Sequence, residues 1–310
     1  MKKLSIIIPC YNEQDTIRPF LAETKLVEAR MASELEFDYI FVNDGSKDST
    51  LKVLRQVSQE IHNVHYISFS RNFGKEAGLL AGLEAADGDF ITVMDADLQD
   101  PPELLIEMYD KIQEGYDVVG TRRADRKGEP VIRSFFSKMF YRIINAVSDT
   151  EMVDGARDFR LMTRQVVDSI LELEEVNRFS KGLFSWVGYD VTYISFENRE
   201  RVAGETSWNF WSLLKYSMDG FINFSEAPLK LSMWAGISSF ILSILGIIFI
   251  ILRKLIFDDP VTGWASLVCI ILFIGGIQLF SLGIIGKYIE KIFLETKKRP
   301  VYIVKEKSKI

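Results

Sequence analysis

Two carboxylates separated by a single residue follow an apolar run near the end of the first third of the chain. Asp95 and Asp97 come directly after Phe90–Met94, which is rich in β-branched and aromatic residues and therefore predicts a buried strand. Their oxygens suit Mg²⁺ or Mn²⁺, which keeps other coordination positions for substrate phosphates. The alternative is a solvated turn that caps the helix beginning at Pro101 and Pro102. The spacing alone does not choose between a metal site and a turn.

The first 120 residues alternate predicted strands with predicted helices. The strands are Leu4–Pro9, Phe37–Val42, Val64–Phe69, Phe90–Met94 and Asp117–Gly120, with helices between them at about 16–32, at about 49–60, from the loop 71–76 on to Ala86, and at about 103–114. Alternation with short connections predicts right-handed βαβ units, and hence a doubly wound, mainly parallel α/β sheet. Ligands of such sheets bind beyond the carboxyl ends of the strands, where the two carboxylates lie.

Polar residues also follow the other strands of this series. They form the segments Pro9–Glu13, Asn43–Ser46 and Arg71–Glu76. Tyr11 offers an aromatic face to a nucleoside base, while Glu13 and Asp44 offer carboxylates to ring N–H groups or ribose hydroxyls. Arg71 and Lys75 can neutralise phosphate. The ordinary alternatives are turn residues, helix caps and solvated charges.

Two long apolar segments predict membrane spans. Leu229–Leu252 and Ala265–Gly286 each exceed the roughly 20 apolar residues that cross a bilayer, and neither carries an interior charge. The short connection predicts a hairpin, and the basic residues after the second span place the flanking segments in the cytoplasm. Amphipathic segments at about 131–147 and 210–224 predict helices in the membrane interface, with core-facing helices as the alternative. The predicted division is a cytoplasmic catalytic domain (1–228), a hairpin (229–286) and a basic tail (287–310).

Charge and cysteine content indicate which partners and which compartment to expect. The net charge is −6, and the excess of acidic residues lies before the hairpin, so the acidic body argues against nucleic acid as a partner. The basic tail suits an anionic lipid bilayer. Cys10 and Cys269 are the two cysteines, which indicates a reducing compartment and no structural disulfide. The short apolar run after Lys2 and Lys3 is not expected to be a signal peptide.

Four motifs together carry a resemblance to a known family. Pro9-Cys10-Tyr11-Asn12-Glu13, Asn43-Asp44-Gly45-Ser46, Arg71-Asn72-Phe73-Gly74-Lys75 and Met94-Asp95-Ala96-Asp97-Leu98-Gln99-Asp100-Pro101 resemble the motifs of family-2 glycosyltransferases. More narrowly, the chain resembles polyprenyl-phosphate glycosyltransferases, which include dolichol-phosphate mannose synthase and bacterial undecaprenyl-phosphate glucosyltransferases. The interfacial helices and the hairpin extend this similarity over nearly the whole chain. It implies a GT-A-like fold and inverting transfer of one sugar from a nucleotide sugar to a polyprenyl phosphate.

The resemblance also implies roles for individual residues. These are metal binding by Asp95, Asp97 and Gln99; nucleotide binding by Pro9, Tyr11, Glu13, Asp44, Lys75 and Asp95; acceptor or phosphate binding by Arg71, Arg160, Arg199, Arg201 and Ser207; and catalysis by Asp158 and Asp97. Asn43 departs from the pattern, because many relatives have Asp there. An acceptor phosphate is already anionic at neutral pH, so Asp158 is predicted either as a general base or as a group that orients others. Its alternative is a salt bridge to Arg157 or Arg160.

The implied reaction is transfer from UDP-glucose to undecaprenyl phosphate at the cytoplasmic face of the cell membrane, supplying a lipid-linked sugar for cell-envelope glycans. Other donors remain alternatives, namely UDP-GlcNAc, GDP-mannose or an aminosugar nucleotide. A processive polysaccharide synthase is disfavoured, since no Gln-x-x-Arg-Trp segment occurs and two spans leave little room for a polymer channel. An inert membrane-anchored scaffold is the non-enzyme alternative. The sequence leaves the oligomeric state open, a homo-oligomer included.

Overall fold

The computed structural model describes residues 1–123, 139, 142, 144–146, 153, 155–196, 222–256 and 263–309. The strands are β1 (Lys2–Cys10), β2 (Leu35–Asn43), β3 (Val64–Phe69), β4 (Phe90–Val93), β5 (Val118–Arg123), β6 (Ala156–Thr163), β7 (Val191–Phe196) and β8 (Val304–Lys307). The helices are α1 (Ile17–Met31), α2 (Thr50–Glu60), α3 (Lys75–Ala85), α4 (Leu104–Gln113), α5 (Arg164–Leu171), α6 (Ser180–Trp186), α7 (Ala227–Ile256) and α8 (Trp264–Thr296). Most residues of the two predicted amphipathic helices, at about 131–147 and 210–224, lie outside the described residues.

The eight described strands form one sheet in the order β7-β5-β6-β4-β1-β2-β3-β8. Strands β4, β1, β2 and β3 are parallel neighbours, as the alternating pattern predicts, and β5 is parallel to β7. Strand β6 runs antiparallel between β4 and β5, and β8 runs antiparallel to β3. The α/β prediction is therefore confirmed, with a mixed sheet. Strand β6 comes from a later part of the chain, so the early alternation could not reveal that it separates β4 from β5.

Helices cover both faces of the sheet because the strands are apolar on both sides. Along β1, Ile6 and Ile8 pack with helices α1, α2 and α4, whereas Ile7 packs on the opposite face with α3 and α5. All three isoleucines are fully buried. Continuous apolar strands of this kind are characteristic of parallel strands covered on both faces. This double packing fixes the carboxyl ends of β1 to β4 at a common edge, and the polar loops follow there.

The two apolar helices are followed by a return to the sheet. Segments Ala227–Arg253 and Ser266–Thr296 are long and apolar enough to cross a membrane, by length and composition alone. The second helix continues ten residues past the predicted end of its span at Gly286. The predicted basic tail then contains β8, in which Lys307 pairs with Ile67 of β3.

Side-chain contacts secure this C-terminal strand. Arg55 Nε donates to Glu306 Oε1 at 2.7 Å. The Tyr302 ring stacks on Phe69, with centroids 4.8 Å apart. An edge strand exposes unpaired backbone groups, so β8 covers what would otherwise be an open edge of β3.

Candidate active site

The loops after β1 and β2 are bonded into one unit. Asn12 adopts a φ of 58°, a left-handed conformation that asparagine tolerates well. Its backbone N–H donates to Ser46 Oγ and its Oδ1 accepts from Lys47 N, both at 2.9 Å. The Glu13 N–H donates to Thr50 Oγ1 at 2.9 Å. These bonds place the predicted nucleoside-binding loops side by side.

Asp44 supports the third loop at this edge. It is buried, and its two oxygens accept backbone hydrogen bonds from Phe73 at 2.6 Å and Gly74 at 2.9 Å. Burial raises the pKa of Asp44, and these N–H donors oppose that shift only in part. Its predicted contact with a nucleotide stays a prediction, because in this structure both oxygens hold the loop that leads to α3.

Lys75 links a carboxylate in the loop after β4 to a carboxylate in β6. Its Nζ lies 2.8 Å from Asp95 Oδ1, 3.1 Å from Asp95 Oδ2 and 2.6 Å from Asp158 Oδ2. Lys75 begins α3, Asp95 follows β4, and Asp158 lies in the inserted strand β6. Sequence reasoning selected all three residues but did not foresee that they meet through one ammonium group.

The charges in this cluster fix its protonation. Burial alone would raise the pKa of Asp158, but Lys75, and next Lys181, hold it well below its usual range. Burial alone would lower the pKa of Lys75, but Asp158 and Asp95 outweigh it and the pKa is raised. At neutral pH Asp158 is therefore ionised and Lys75 is protonated. An Asp158 held in this way is a poor proton acceptor.

The loop after β4 is fastened to β6 by an arginine. Buried Asp97 accepts a hydrogen bond from Gln99 N at 3.1 Å. Arg157 Nε donates to Asp100 Oδ1 at 3.0 Å, and its Nη2 donates to Gln99 Oε1 at 3.3 Å. Burial raises the pKa of Asp100 to about 6 despite the opposing charge of Arg157. Arg157 thus holds the acidic loop in place, a role that its position beside Asp158 in the sequence did not indicate.

The donor set at this loop fits a metal that is shared with substrate. In the part of the chain that the structure describes, no three His, Cys, Asp or Glu side chains are grouped to hold a metal ion. A cation at Asp95 and Asp97 would take its remaining ligands from Gln99, substrate oxygens and water, and retained open positions are usual for Mg²⁺. The Lys75 ammonium lies against both oxygens of Asp95, so a bound metal would share this carboxylate with Lys75.

Three more of the predicted nucleotide contacts lie at the same edge. Pro9 pairs in register with Val42 near the end of β1. Tyr11 is 38% exposed, so its ring is open to a ligand. Glu13 is partly buried and accepts a hydrogen bond from Thr16 Oγ1 at 2.9 Å. The structure therefore gathers these residues without assigning their ligand.

The predicted phosphate-binding arginines differ in their surroundings. Arg71 is exposed, and its guanidinium stacks 3.9 Å from the Phe73 ring centroid. Arg160 is buried, stacks 3.9 Å from the Phe184 ring centroid and donates from Nη2 to the Arg157 carbonyl at 3.0 Å. These contacts give Arg160 a structural role in β6, and its predicted contact with the acceptor phosphate stays a prediction. Arg199, Arg201 and Ser207 lie outside the described residues.

Comparison with known proteins decides the family. The model of "Glycosyl transferase family 2" matches residues 5–171, more than half of the chain, including most of β1, all of β2 to β6 and every loop of this edge. The chain belongs to glycosyl transferase family 2. The predicted resemblance is thereby confirmed, and the eight-stranded mixed sheet of this glycosyltransferase is a GT-A-like fold.

Full-length relatives extend the similarity beyond the sheet. The glycosyltransferase is 43% identical over 304 residues to the uncharacterized glycosyltransferase sll0501 of Synechocystis sp., covering 98% of this chain and 95% of the relative. It is 38% identical over 308 residues to the bactoprenol glucosyl transferase of Shigella phage SfV, covering 99% and 100%. A solved mannosyltransferase from Pyrobaculum calidifontis, in complex with GDP-Man and Mn²⁺, matches with a TM-score of 0.49 at 15% identity, covering 93% of this chain and 87% of that one.

Gly45 in this glycosyltransferase is required by a close approach between loops. Its φ is 62°, and an added Cβ would lie 2.3 Å from the Arg71 carbonyl carbon and 2.6 Å from Asn72 N. Gly45→Ala is expected to destabilise the fold by about 3 kcal/mol, through left-handed backbone strain together with a backbone clash. Thermal or urea unfolding measures the change.

Gly188→Ala is the matched control. Gly188 has a φ of 74°, similar to that of Gly45, and the nearest atom to an added Cβ is the Trp186 carbonyl oxygen at 3.9 Å, an ordinary contact. It carries the backbone penalty without the clash, so we expect a loss nearer about 1 kcal/mol. Equal losses in the two variants would contradict the steric explanation for Gly45.

Proposed function

We propose that this glycosyltransferase transfers a single sugar from a nucleotide sugar, UDP-glucose, to undecaprenyl phosphate or a similar polyprenyl phosphate, with inversion at the sugar. The proposal rests chiefly on the full-length similarity to a bactoprenol glucosyl transferase, whose name specifies a polyprenyl lipid and the sugar. That similarity includes both apolar helices. The product would be a lipid-linked sugar for cell-envelope glycans.

The donor would bind across the loops at the carboxyl ends of β1 to β4. Tyr11 lies exposed beside Glu13 at the position proposed for the nucleoside. Asp95 and Asp97, with Gln99 beside them, would hold Mg²⁺ or Mn²⁺, which when bound neutralises charge on the departing diphosphate. The two carboxylates lie one residue apart in sequence on a loop that Arg157 fastens to β6, which supports this assignment.

The reaction needs alignment of charges more than removal of a proton. An oxygen of the acceptor phosphate bonds to the anomeric carbon, and the bond from that carbon to the diphosphate oxygen breaks, so that the nucleoside diphosphate leaves with the electron pair. A phosphate monoester has a second pKa of about 6, so the attacking oxygen is already anionic at neutral pH. Asp158, held ionised by Lys75, would orient the ammonium group rather than act as a base. Lys75 would offset repulsion between the two phosphate-bearing substrates.

The acceptor would reach this centre from the membrane. Helices α7 and α8 are proposed to form the transmembrane hairpin, with the catalytic body and the C-terminal strand in the cytoplasm. Basic residues after the second span support this orientation through the positive-inside rule. A soluble donor and a membrane-bound acceptor would then meet above the bilayer surface.

The test is an assay with the purified full chain in liposomes containing polyprenyl phosphate. Radiolabelled UDP-glucose is expected to label the lipid fraction, and EDTA is expected to abolish the labelling. NMR of the product is expected to show the inverted anomer. Parallel incubations with UDP-GlcNAc and GDP-mannose define the donor. Absence of labelled lipid with every donor would refute the proposal.

A further inference from the structure

The end of the second apolar helix binds a loop next to the sheet. Glu295, the last residue but one of α8, accepts hydrogen bonds from the backbone N–H groups of Val176 and Asn177 and from the Asn177 side-chain amide. Val176 N lies 3.0 Å from Oε2, while Asn177 N and Nδ2 lie 2.9 Å and 3.0 Å from Oε1. Hydrogen bonds to an ionised carboxylate are about twice as strong as neutral ones. Glu295 thus fastens α8 to the loop between α5 and α6.

The same loop is also bound by the segment that precedes the first apolar helix. Asn223 Nδ2 donates to the Asn177 carbonyl at 2.8 Å. The Tyr288 hydroxyl of α8 donates to the Ser225 carbonyl at 2.7 Å, which joins α8 to this segment. The loop is therefore attached to α8 and to the segment that leads into α7.

From this loop the contacts continue to the reaction centre. Ser180, at the start of α6, donates from its backbone N–H to Glu76 Oε2 at 3.0 Å, and its hydroxyl donates to the same oxygen. Glu76 follows Lys75 in α3, and Lys75 holds Asp95 and Asp158. A continuous series of hydrogen bonds and short chain segments therefore connects Glu295 with the Lys75 ammonium.

We propose that Glu295 is a positioning residue that fixes the reaction centre relative to the membrane hairpin, and hence to an acceptor phosphate held at the bilayer surface. This inference rests on the proposed function, because it assumes a lipid acceptor. A soluble donor can adjust to the position of the protein, whereas the depth of a lipid phosphate is set by the bilayer. A misplacement of about 1 Å at the reacting atoms can cost up to 10²-fold in rate.

The test compares two acceptors with the full chain. Glu295→Ala is expected to lower transfer to a long-chain polyprenyl phosphate in liposomes by about tenfold or more. Transfer to a short-chain polyprenyl phosphate in detergent is expected to stay within about twofold of wild type, since that acceptor is free to align. Glu295→Gln should give an intermediate loss in liposomes, because one amide oxygen can still accept the Asn177 bonds. UDP affinity is expected to be unchanged, whereas the Tm is expected to fall by a few degrees because the Val176 and Asn177 N–H groups lose their acceptor.

Glu290→Gln is the matched control on the same helix. Glu290 accepts a hydrogen bond from Lys287 Nζ at 2.8 Å, and its loss should leave transfer in liposomes unchanged. An equal loss of transfer with both acceptors in Glu295→Ala would make Glu295 a general stability residue and overturn the inference. Unchanged transfer in liposomes would overturn it as well. Absence of transfer by the wild-type chain to either acceptor would instead refute the proposed function.

Discussion

Substituting Lys75 with methionine is expected to lower the rate of sugar transfer by about 10²- to 10³-fold, the usual cost of losing one aligned electrostatic contact in an active site. The same substitution is expected to raise the affinity for Mn²⁺ by about tenfold, corresponding to the loss of one competing charge-assisted hydrogen bond. The reason is that the ammonium lies against both oxygens of Asp95, which a metal would have to share. Weaker catalysis together with tighter metal binding distinguishes this arrangement from a simple loss of structure.

Electron paramagnetic resonance of free Mn²⁺, in protein without donor, measures the affinity independently of activity. Lys111→Met removes an ammonium on α4 that pairs with Glu114. This variant should change neither the transfer rate nor the Mn²⁺ affinity. Lys75→Arg keeps the charge and should retain more transfer than Lys75→Met. Weaker Mn²⁺ binding in Lys75→Met would show that Lys75 does not compete with the metal for Asp95. The proposed sharing of Asp95 between Lys75 and the metal would then be wrong.

Asp97→Asn is expected to lower transfer by at least about 10³-fold and to remove its dependence on added Mg²⁺ or Mn²⁺, since the variant has lost a proposed metal ligand. The amide oxygen can still accept the hydrogen bond from Gln99 N, so the loop should keep its shape. The rate of lipid labelling is measured across a titration of each metal. The Tm should fall by only a small amount, because no side-chain volume is lost.

Asp110→Asn provides the comparison for Asp97→Asn. Asp110 lies exposed on α4, and its neutralisation should leave both the rate and the metal response as in the wild type. Full metal-dependent transfer by Asp97→Asn would exclude Asp97 as a ligand. The metal would then have to be held by residues other than Asp97.

The first four strands and their loops could be predicted because each signal there is local. Strand β1 has the continuous apolar run Ile6–Pro9 and ends at the polar segment around Tyr11, and the apolar strand β4 ends in the same way at Asp95. In parallel strands that alternate with helices, such ends must meet at one edge. Sequence order alone therefore placed the nucleotide and metal candidates together.

The contacts made through strand β6 could not be predicted in this way. Asp158 reaches Lys75 only because β6 pairs antiparallel with β4, so that Val93 lies opposite Arg160. No local pattern states which strands will be neighbours when they are far apart in the chain. The bond between Arg157 and Asp100 depends on the same pairing. Strand β8 was missed because its alternating lysines are also typical of a solvated tail.

The positions of β7 and β8 have a mechanical consequence. These two strands form opposite edges of the sheet, and the hairpin lies between them in the sequence. The chain therefore enters the hairpin after one edge strand and leaves it for the opposite edge strand. With α7 and α8 in a bilayer, rolling the sheet about its strand direction would lift one edge while lowering the other, and covalent connections from the membrane to both edges limit that motion more than a connection to one edge would.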